Sequence, residues 1–298
     1  MVVQLQQRLN KTVQLLAQGQ PIYYTSVEDR GYAGGRAAAK TWADYISYDM
    51  EHHAFDCTVL HDFMRGLVDG GPTASGHRTP AVIVTLPTNG SDEAAFRANE
   101  WMVRQALAAG VHGILLCHAE SPAAVKAFVE STRYPFQKVG RDGPKGLAEG
   151  RRGSGGQAQA ATIWGVEQDE YLRRADPWPL NPDGELLLGL KIENLRAVAN
   201  AEAVAAVPGI SFAEWGPGDM GMSLGLADAH DPPYPPEMLA ARAKVLAACQ
   251  ANKLAFLEQV TPENVAEQIQ AGIMVGAGKQ AQAAAEIGRR HSRRPEPW

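Results

Sequence analysis

A chain of 298 residues, 45% hydrophobic and 20% charged, has enough apolar material for a large core and suits one α/β barrel or two small domains. Its net charge of −5, with basic pairs near the end at Arg289-Arg290 and Arg293-Arg294, argues against a nucleic-acid surface. No apolar run approaches the roughly 18 residues of a membrane span, residues 1–19 lack the apolar centre of a signal peptide, and three widely spaced cysteines (Cys57, Cys117, Cys249) suit a reducing compartment, so a soluble cytoplasmic protein without nucleic-acid or membrane partners is expected.

Residues 3–18 carry apolar side chains at helical spacing and stop at Gly19. PIYYTS (21–26) reads as a first strand, and the glycines and alanines of 29–43 as a turn and helix. YISYDMEHHAFD (45–56) is a second strand running into a polar, histidine-bearing loop, followed by a helix over 57–69 and a loop over 70–80. AVIVTLP (81–87) and GILLCHAE (113–120) are the third and fourth strands, with helices at 91–109 and 121–132. Residues 137–185 then break the rhythm, with a short helix expected near 156–163; a connection this long suggests a lid or an oligomer contact. Strands return at 186–193, 210–216, 254–260 and 272–277, and an alanine-rich helix follows at 278–290. Eight strand candidates alternating with helices predict a (β/α)8 TIM barrel formed by residues 1–298 as one domain; an open doubly wound sheet is the alternative. No G-x-G-x-x-G follows a strand, so a dinucleotide fold lacks its fingerprint.

Two stretches end an apolar strand abruptly in a carboxylate: LLLGLKIEN in Glu193 and WGPGDMG in Asp219. In an α/β barrel such acids face the mouth, where ligands bind, and two of them can share one hard cation while leaving positions open to substrate. The plainer reading is that each caps a helix or pairs with an arginine. Asp49, Glu51, His52 and His53 follow the second strand and make an acid–base cluster, the histidines being suited to proton transfer near neutral pH; the plainer reading is a helix cap with exposed histidines. His112 falls at the opposite, stability end, and His118 near the mouth, as a core histidine or a site neighbour. Cys117 reads as inert packing. Arg151 and Arg152 either bind a substrate carboxylate or form a solvated loop face, and Trp164 and Trp178 add aromatic surface to the long connection.

In order along the chain, Asp49-Met50-Glu51-His52, Arg133-Tyr134-Pro135, Arg152-Gly153, Trp164-Gly165, Lys191-Ile192-Glu193 and Gly216-Pro217-Gly218-Asp219 resemble the HpcH/HpaI aldolase/citrate lyase family, in particular its metal-dependent pyruvate aldolases, over roughly residues 20–280. The resemblance implies a TIM barrel whose last helix is often exchanged between subunits, in swapped dimers or hexamers built from them. It implies a divalent cation (Mg2+, Mn2+ or Co2+) on Glu193 and Asp219, and catalysis by His52 with Asp49 close by. It also implies that backbone N–H groups around Gly218 and Asp219 hold the carboxylate of a small oxo-acid substrate. Where these aldolases carry an arginine at the end of the third strand, this chain has Thr85; where they carry an aspartate partner for the histidine, it has Ala108; and Met50 replaces a glycine. The expected activity is therefore a metal-dependent carbon–carbon lyase on a 2-oxo acid. Arg152 or Arg78 are candidates to supply the missing cation. A lyase or hydrolase acting on a CoA thioester, and a metal-binding pseudoenzyme, are the alternatives.

Overall fold

The computed structural model describes residues 8–141 and 146–298. Nine strands form: β1 (Ile22–Ser26), β2 (Tyr45–Asp49), β3 (Ala81–Asn89), β4 (Gly113–Cys117), β5 (Pro177–Trp178), β6 (Leu186–Lys191), β7 (Phe212–Glu214), β8 (Ala255–Gln259) and β9 (Ile273–Ala277). All their pairings are parallel. Pairing of β1 with β9 and of β4 with β6 closes eight of them into a ring, which rules out the open sheet. The two-residue β5 pairs with the start of β6 outside that ring.

Side chains alternate across each strand. Ile22, Tyr45, Ile83, Leu115, Leu187 and Phe212 therefore pack together inside the barrel. Crowding there demands a glycine on β6, because a Cβ on Gly189 would lie 2.2 Å from the Phe212 ring. Val13 and Leu15 of the helix Lys11–Ala17 join the same cluster and plug the N-terminal end of the ring. Asn10 caps that helix through Thr12 N–H and donates to the carbonyls of His112 and Glu185, tying it to the starts of β4 and β6. The expected start of this helix, residues 3–7, lies outside the described residues.

A buried carboxylate gathers the chain ends. Asp44 Oδ1 lies 3.0 Å from Lys11 Nζ, 2.8 Å from Arg294 Nη1 and 3.3 Å from Arg289 Nη2, while Oδ2 accepts the Tyr23 N–H at 3.0 Å. Burial pushes the Asp44 carboxyl up, but Arg294, Lys11 and Arg289 together hold it below the usual carboxylate range. The C-terminal helix Ala281–His291 packs on its own barrel, with Ala284, Ala285 and Gly288 buried. Gly288 approaches so closely that a Cβ would fall 1.8 Å from the Tyr23 hydroxyl oxygen.

The connection 137–185 is more ordered than its composition suggests. It forms the helices Gln157–Trp164 and Gln168–Arg174 and packs on the flank and N-terminal end of the barrel. Trp164 Nε1 donates to Gly110 O at 2.9 Å, and its ring stacks on His112 at 5.7 Å. A buried bidentate pair, Arg133–Asp176, fastens the segment to the helix Pro122–Ser131 that precedes it. The described part of this segment is thus not a lid over the mouth; residues 142–145 lie outside the described residues.

His112 is at the stability end, as its sequence position implies. It is buried, and its Nδ1 accepts the Val82 N–H at 3.2 Å. Burial, with a smaller contribution from His77, pushes its pKa down to about 3. A folded-state value below the unfolded one means stability that is present above about pH 6.5 and is lost as pH falls toward about 3. His112→Asn, which retains an acceptor for Val82, should flatten the decline in unfolding free energy between pH 6 and pH 4. Urea titrations at both pH values measure this, and an unchanged slope would contradict it.

Candidate active site at the barrel mouth

The second strand stops where Asp49 turns the chain. Its Oδ1 accepts the N–H of Glu51 at 2.8 Å and of His52 at 3.2 Å, the local capture typical of aspartate in turns. Its Oδ2 lies 2.9 Å from His52 Nδ1, so the two residues singled out in the sequence form a direct pair. Burial pushes the Asp49 carboxyl up, but the hydrogen bonds from His52 and Glu51 outweigh it and hold the group below its ordinary value. The His52 ring is mostly exposed and faces the cavity, whereas His53 is exposed and does not line it.

Lys191 ends β6 on the inward face. Its Nζ lies 2.8 Å from Glu51 Oε2, 3.4 Å from Glu193 Oε2 and 3.9 Å from Glu214 Oε1. Three segments of the barrel thus aim carboxylates at one ammonium. Burial alone would lower the lysine pKa, but Glu214, Glu193, Cys117 and Glu51 raise it well above the ordinary value. The converse holds for Glu193, which is fully buried. Burial pushes its pKa up to about 8, opposed by Lys191 and the His118 N–H and assisted by Glu214 and Asp219. Glu193 Oε1 accepts that N–H at 3.0 Å, while Oε2 has no hydrogen-bond partner among the described residues.

β7 leads into the glycine turn. Gly216 adopts φ 49°, and a Cβ there would lie 2.5 Å from Glu193 Cβ, so both conformation and space require glycine. The short helix Pro217–Ser223 begins at Gly216 without a side-chain cap, leaving its first N–H groups, those of Gly218 and Asp219 included, without intrahelical partners. Gly218, Asp219, Glu193, Lys191 and His52 all line one cavity of about 450 Å³ at the C-terminal ends of the strands. A hard divalent cation fits this donor set: Glu193 Oε2 makes no hydrogen bond among the described residues, its contact with Lys191 being a 3.4 Å ion pair, and donor atoms of Glu51, His118 and Glu193 lie within 4.8 Å of one another.

Other candidates fall elsewhere. Thr85 shares the inward face of β3 with Ile83 and sits between Asp49 and Leu115 in register, but it is buried beneath the cavity rather than lining it. Arg152 is buried on the barrel flank, stacked 4.3 Å from the Tyr134 ring centroid and donating to the Tyr171 hydroxyl. It lines a separate cleft with Ala108, Arg104 and Arg151, so neither Arg152 nor Ala108 reaches the mouth cavity within one chain. Arg78 donates to the carbonyls of Ile163 and Thr162 near the N-terminal end. Cys117 is buried and donates to Leu86 O. Sequence reasoning passed over Glu214, gave Lys191 no role beyond its place in a motif, and put His118 near the mouth without its contact with Glu193. The spacing of Lys191 and Glu193, two residues apart at one strand end, is the signal that places them on the same face.

Removing one partner from a buried ion cluster leaves uncompensated charge. Lys191→Met should therefore destabilise the chelator-treated protein, by about 3 kcal/mol at pH 8. The loss should shrink at pH 5, where Glu193 and Glu214, whose carboxyls burial pushes up, take up protons. Urea unfolding at the two pH values tests this, and an equal loss at both would contradict the ion-cluster assignment.

The sequence profile of the HpcH/HpaI aldolase/citrate lyase family matches residues 37–282. The hydroxypyruvate/pyruvate aldolase of Paraburkholderia phytofirmans is 28% identical over 193 residues, 65% of this chain and 62% of that protein. The 2-keto-3-deoxy-L-rhamnonate aldolase of Klebsiella pneumoniae is 26% identical over 191 residues, 64% of this chain and 58% of that protein. The chain thus matches less than two thirds of the length of these curated relatives. A crystal structure of an HpcH/HpaI aldolase/citrate lyase family protein from Burkholderia cenocepacia shares the fold, with a TM-score of 0.69 at 22% identity over 95% of this chain and 98% of that one. The closed parallel barrel and the extent of the family match lead to one conclusion: the chain belongs to the HpcH/HpaI aldolase/citrate lyase family.

Proposed function

We propose that this protein is a metal-dependent carbon–carbon lyase that cleaves, or in reverse forms, a hydroxylated 2-oxo acid. The observation that carries the reading is the convergence of the Asp49–His52 pair with Glu193 and Asp219 on one cavity. Relatives named as aldolases of hydroxypyruvate, pyruvate and a 2-keto-3-deoxy acid support it. Glu193 and Asp219 would hold the divalent cation, with Mg2+, Mn2+ or Co2+ the candidates. When bound, such an ion supplies Lewis-acid polarisation of a carbonyl and stabilises developing negative charge.

The chain's own residues divide the remaining work. The free N–H groups of Gly218 and Asp219 are placed to hold a substrate carboxylate. His52, oriented by Asp49 through Nδ1, accepts the proton of the substrate's 4-hydroxyl at Nε2. As the C3–C4 bond breaks, its electron pair passes into the 2-oxo acid as an enolate and the other fragment leaves as an aldehyde. Protonation of the enolate then gives pyruvate or its analogue. Thr85 offers no positive charge, and among the described residues Lys191 is the lysine or arginine that lines the cavity. We place the oxyanion beside it. The same reading makes the protein a cytoplasmic homo-oligomer, consistent with three cysteines that form no disulfide.

Incubation with 4-hydroxy-2-oxo acids should release pyruvate. Chelator should abolish the release, and added Mn2+ or Mg2+ should restore it. Glu193→Gln and Asp219→Asn should remove the metal response. His52→Ala should slow turnover by about 100-fold or more, the usual scale for a general base, without weakening metal binding. Full activity after exhaustive chelation, or thioester cleavage with no turnover of any oxo acid, would overturn the reading.

A further inference from the structure

His118 occupies an unusual position at the end of β4. Its backbone adopts φ 46°, a left-handed conformation that non-glycine residues enter when the surroundings hold them there. That conformation turns its N–H onto Glu193 Oε1 at 3.0 Å, and the ring follows, with Nδ1 3.4 Å from the same oxygen. Asn194 Nδ2 lies 3.3 Å from Nδ1 and is itself held by Glu120, which Arg196 clamps with two hydrogen bonds. Asn194 and Glu193 thus hold the ring by the same nitrogen, Nδ1, and fix its orientation.

The carboxylate it faces is the unsaturated one. Glu193 is fully buried, and its Oε2 has no hydrogen bond among the described residues, the Lys191 ammonium lying 3.4 Å away. One donor atom each from Glu51, His118 and Glu193 falls within 4.8 Å of the others, the spacing a single ion can bridge. Asp219 lines both the mouth cavity with Glu193 and the adjoining cleft with His118.

We propose that His118 is a nitrogen ligand of the divalent cation, added to the carboxylates of Glu193 and its neighbours, and that it makes the site prefer Mn2+ and Co2+ over Mg2+. The inference rests on the metal-dependent reading above. Imidazole suits first-row transition ions, whereas Mg2+ favours an all-oxygen shell. An imidazole on this carboxylate platform therefore adds affinity for the former and little for the latter.

The test uses the full chain stripped with chelator and reloaded with Mn2+, Co2+ or Mg2+. Pulsed EPR of the Mn2+ form should show a directly coordinated 14N that His52→Ala keeps and His118→Gly loses. Glycine tolerates the left-handed backbone, and His118→Asn, also at ease there, serves as the second variant. In calorimetry the Co2+ Kd of both variants should rise at least about tenfold, the scale of perturbing a metal shell, while the Mg2+ Kd moves less than about threefold. A 14N signal that survives loss of His118, or equal weakening for Co2+ and Mg2+, would overturn the role of His118 and leave the metal site standing. Wild-type protein that binds no divalent ion would overturn both.

Discussion

One ammonium holds three carboxylates together at the end of a barrel otherwise filled with apolar side chains. Lys191 reaches Glu51, Glu193 and Glu214 from the inward face of β6, and the charge it meets exceeds its own. Acids crowded in a low-dielectric site either take up protons or gather cations. Glu193, pushed up to about 8 by burial and by its acidic neighbours, and Glu214, pushed up by burial and by Glu51 and Asp219, both express that imbalance. A second cation would relieve it, and Glu193 Oε2, which makes no hydrogen bond among the described residues, is the proposed place for one.

The rest of the fold keeps this arrangement in place by separating stability from chemistry along the barrel axis. At the N-terminal end, Asp44 binds Lys11, Arg289 and Arg294, joining both ends of the chain to β1 and β2. There the neutral His112 stacks between strand and connection, and the helix Lys11–Ala17 plugs the ring. At the other end the strands stop short and release His52, Glu193 and the Gly216 turn into one cavity and His118 into the cleft beside it. This is the division expected of barrels whose loops carry the chemistry.

Eight strand-like runs alternating with helical stretches made the barrel legible, the plainest being the apolar AVIVTL, GILLC and LLLGL, which are buried on both faces. Their ends were less so. The second strand ends at Asp49 because that side chain captures the following N–H groups, a contact that no local pattern distinguishes from continued strand. The helix expected over 91–109 divides at Glu100 into Glu93–Asn99 and Trp101–Ala108. The connection 137–185 looks irregular because its helices draw their order from tertiary partners such as Gly110 and His112. At the site, the adjacency of Asp49 and His52 was readable, since three residues span it. Arg152 was not placeable, because an arginine's position in a loop does not tell which end of the barrel it will meet. Lys191 and His118 acquire meaning only when β2, β4 and β6 converge on Glu193, which is a property of the closed ring.

The central claim is that the carboxylates at the mouth form a divalent-cation site. The most direct measurement is a crystal of the full chain soaked in Mn2+, with anomalous scattering used to place the ion. The account expects one strong peak within bonding distance of Glu193, on the side facing Asp219 and His118. A peak confined to the exposed Asp49–His52 pair, or no peak at the mouth at all, would contradict it.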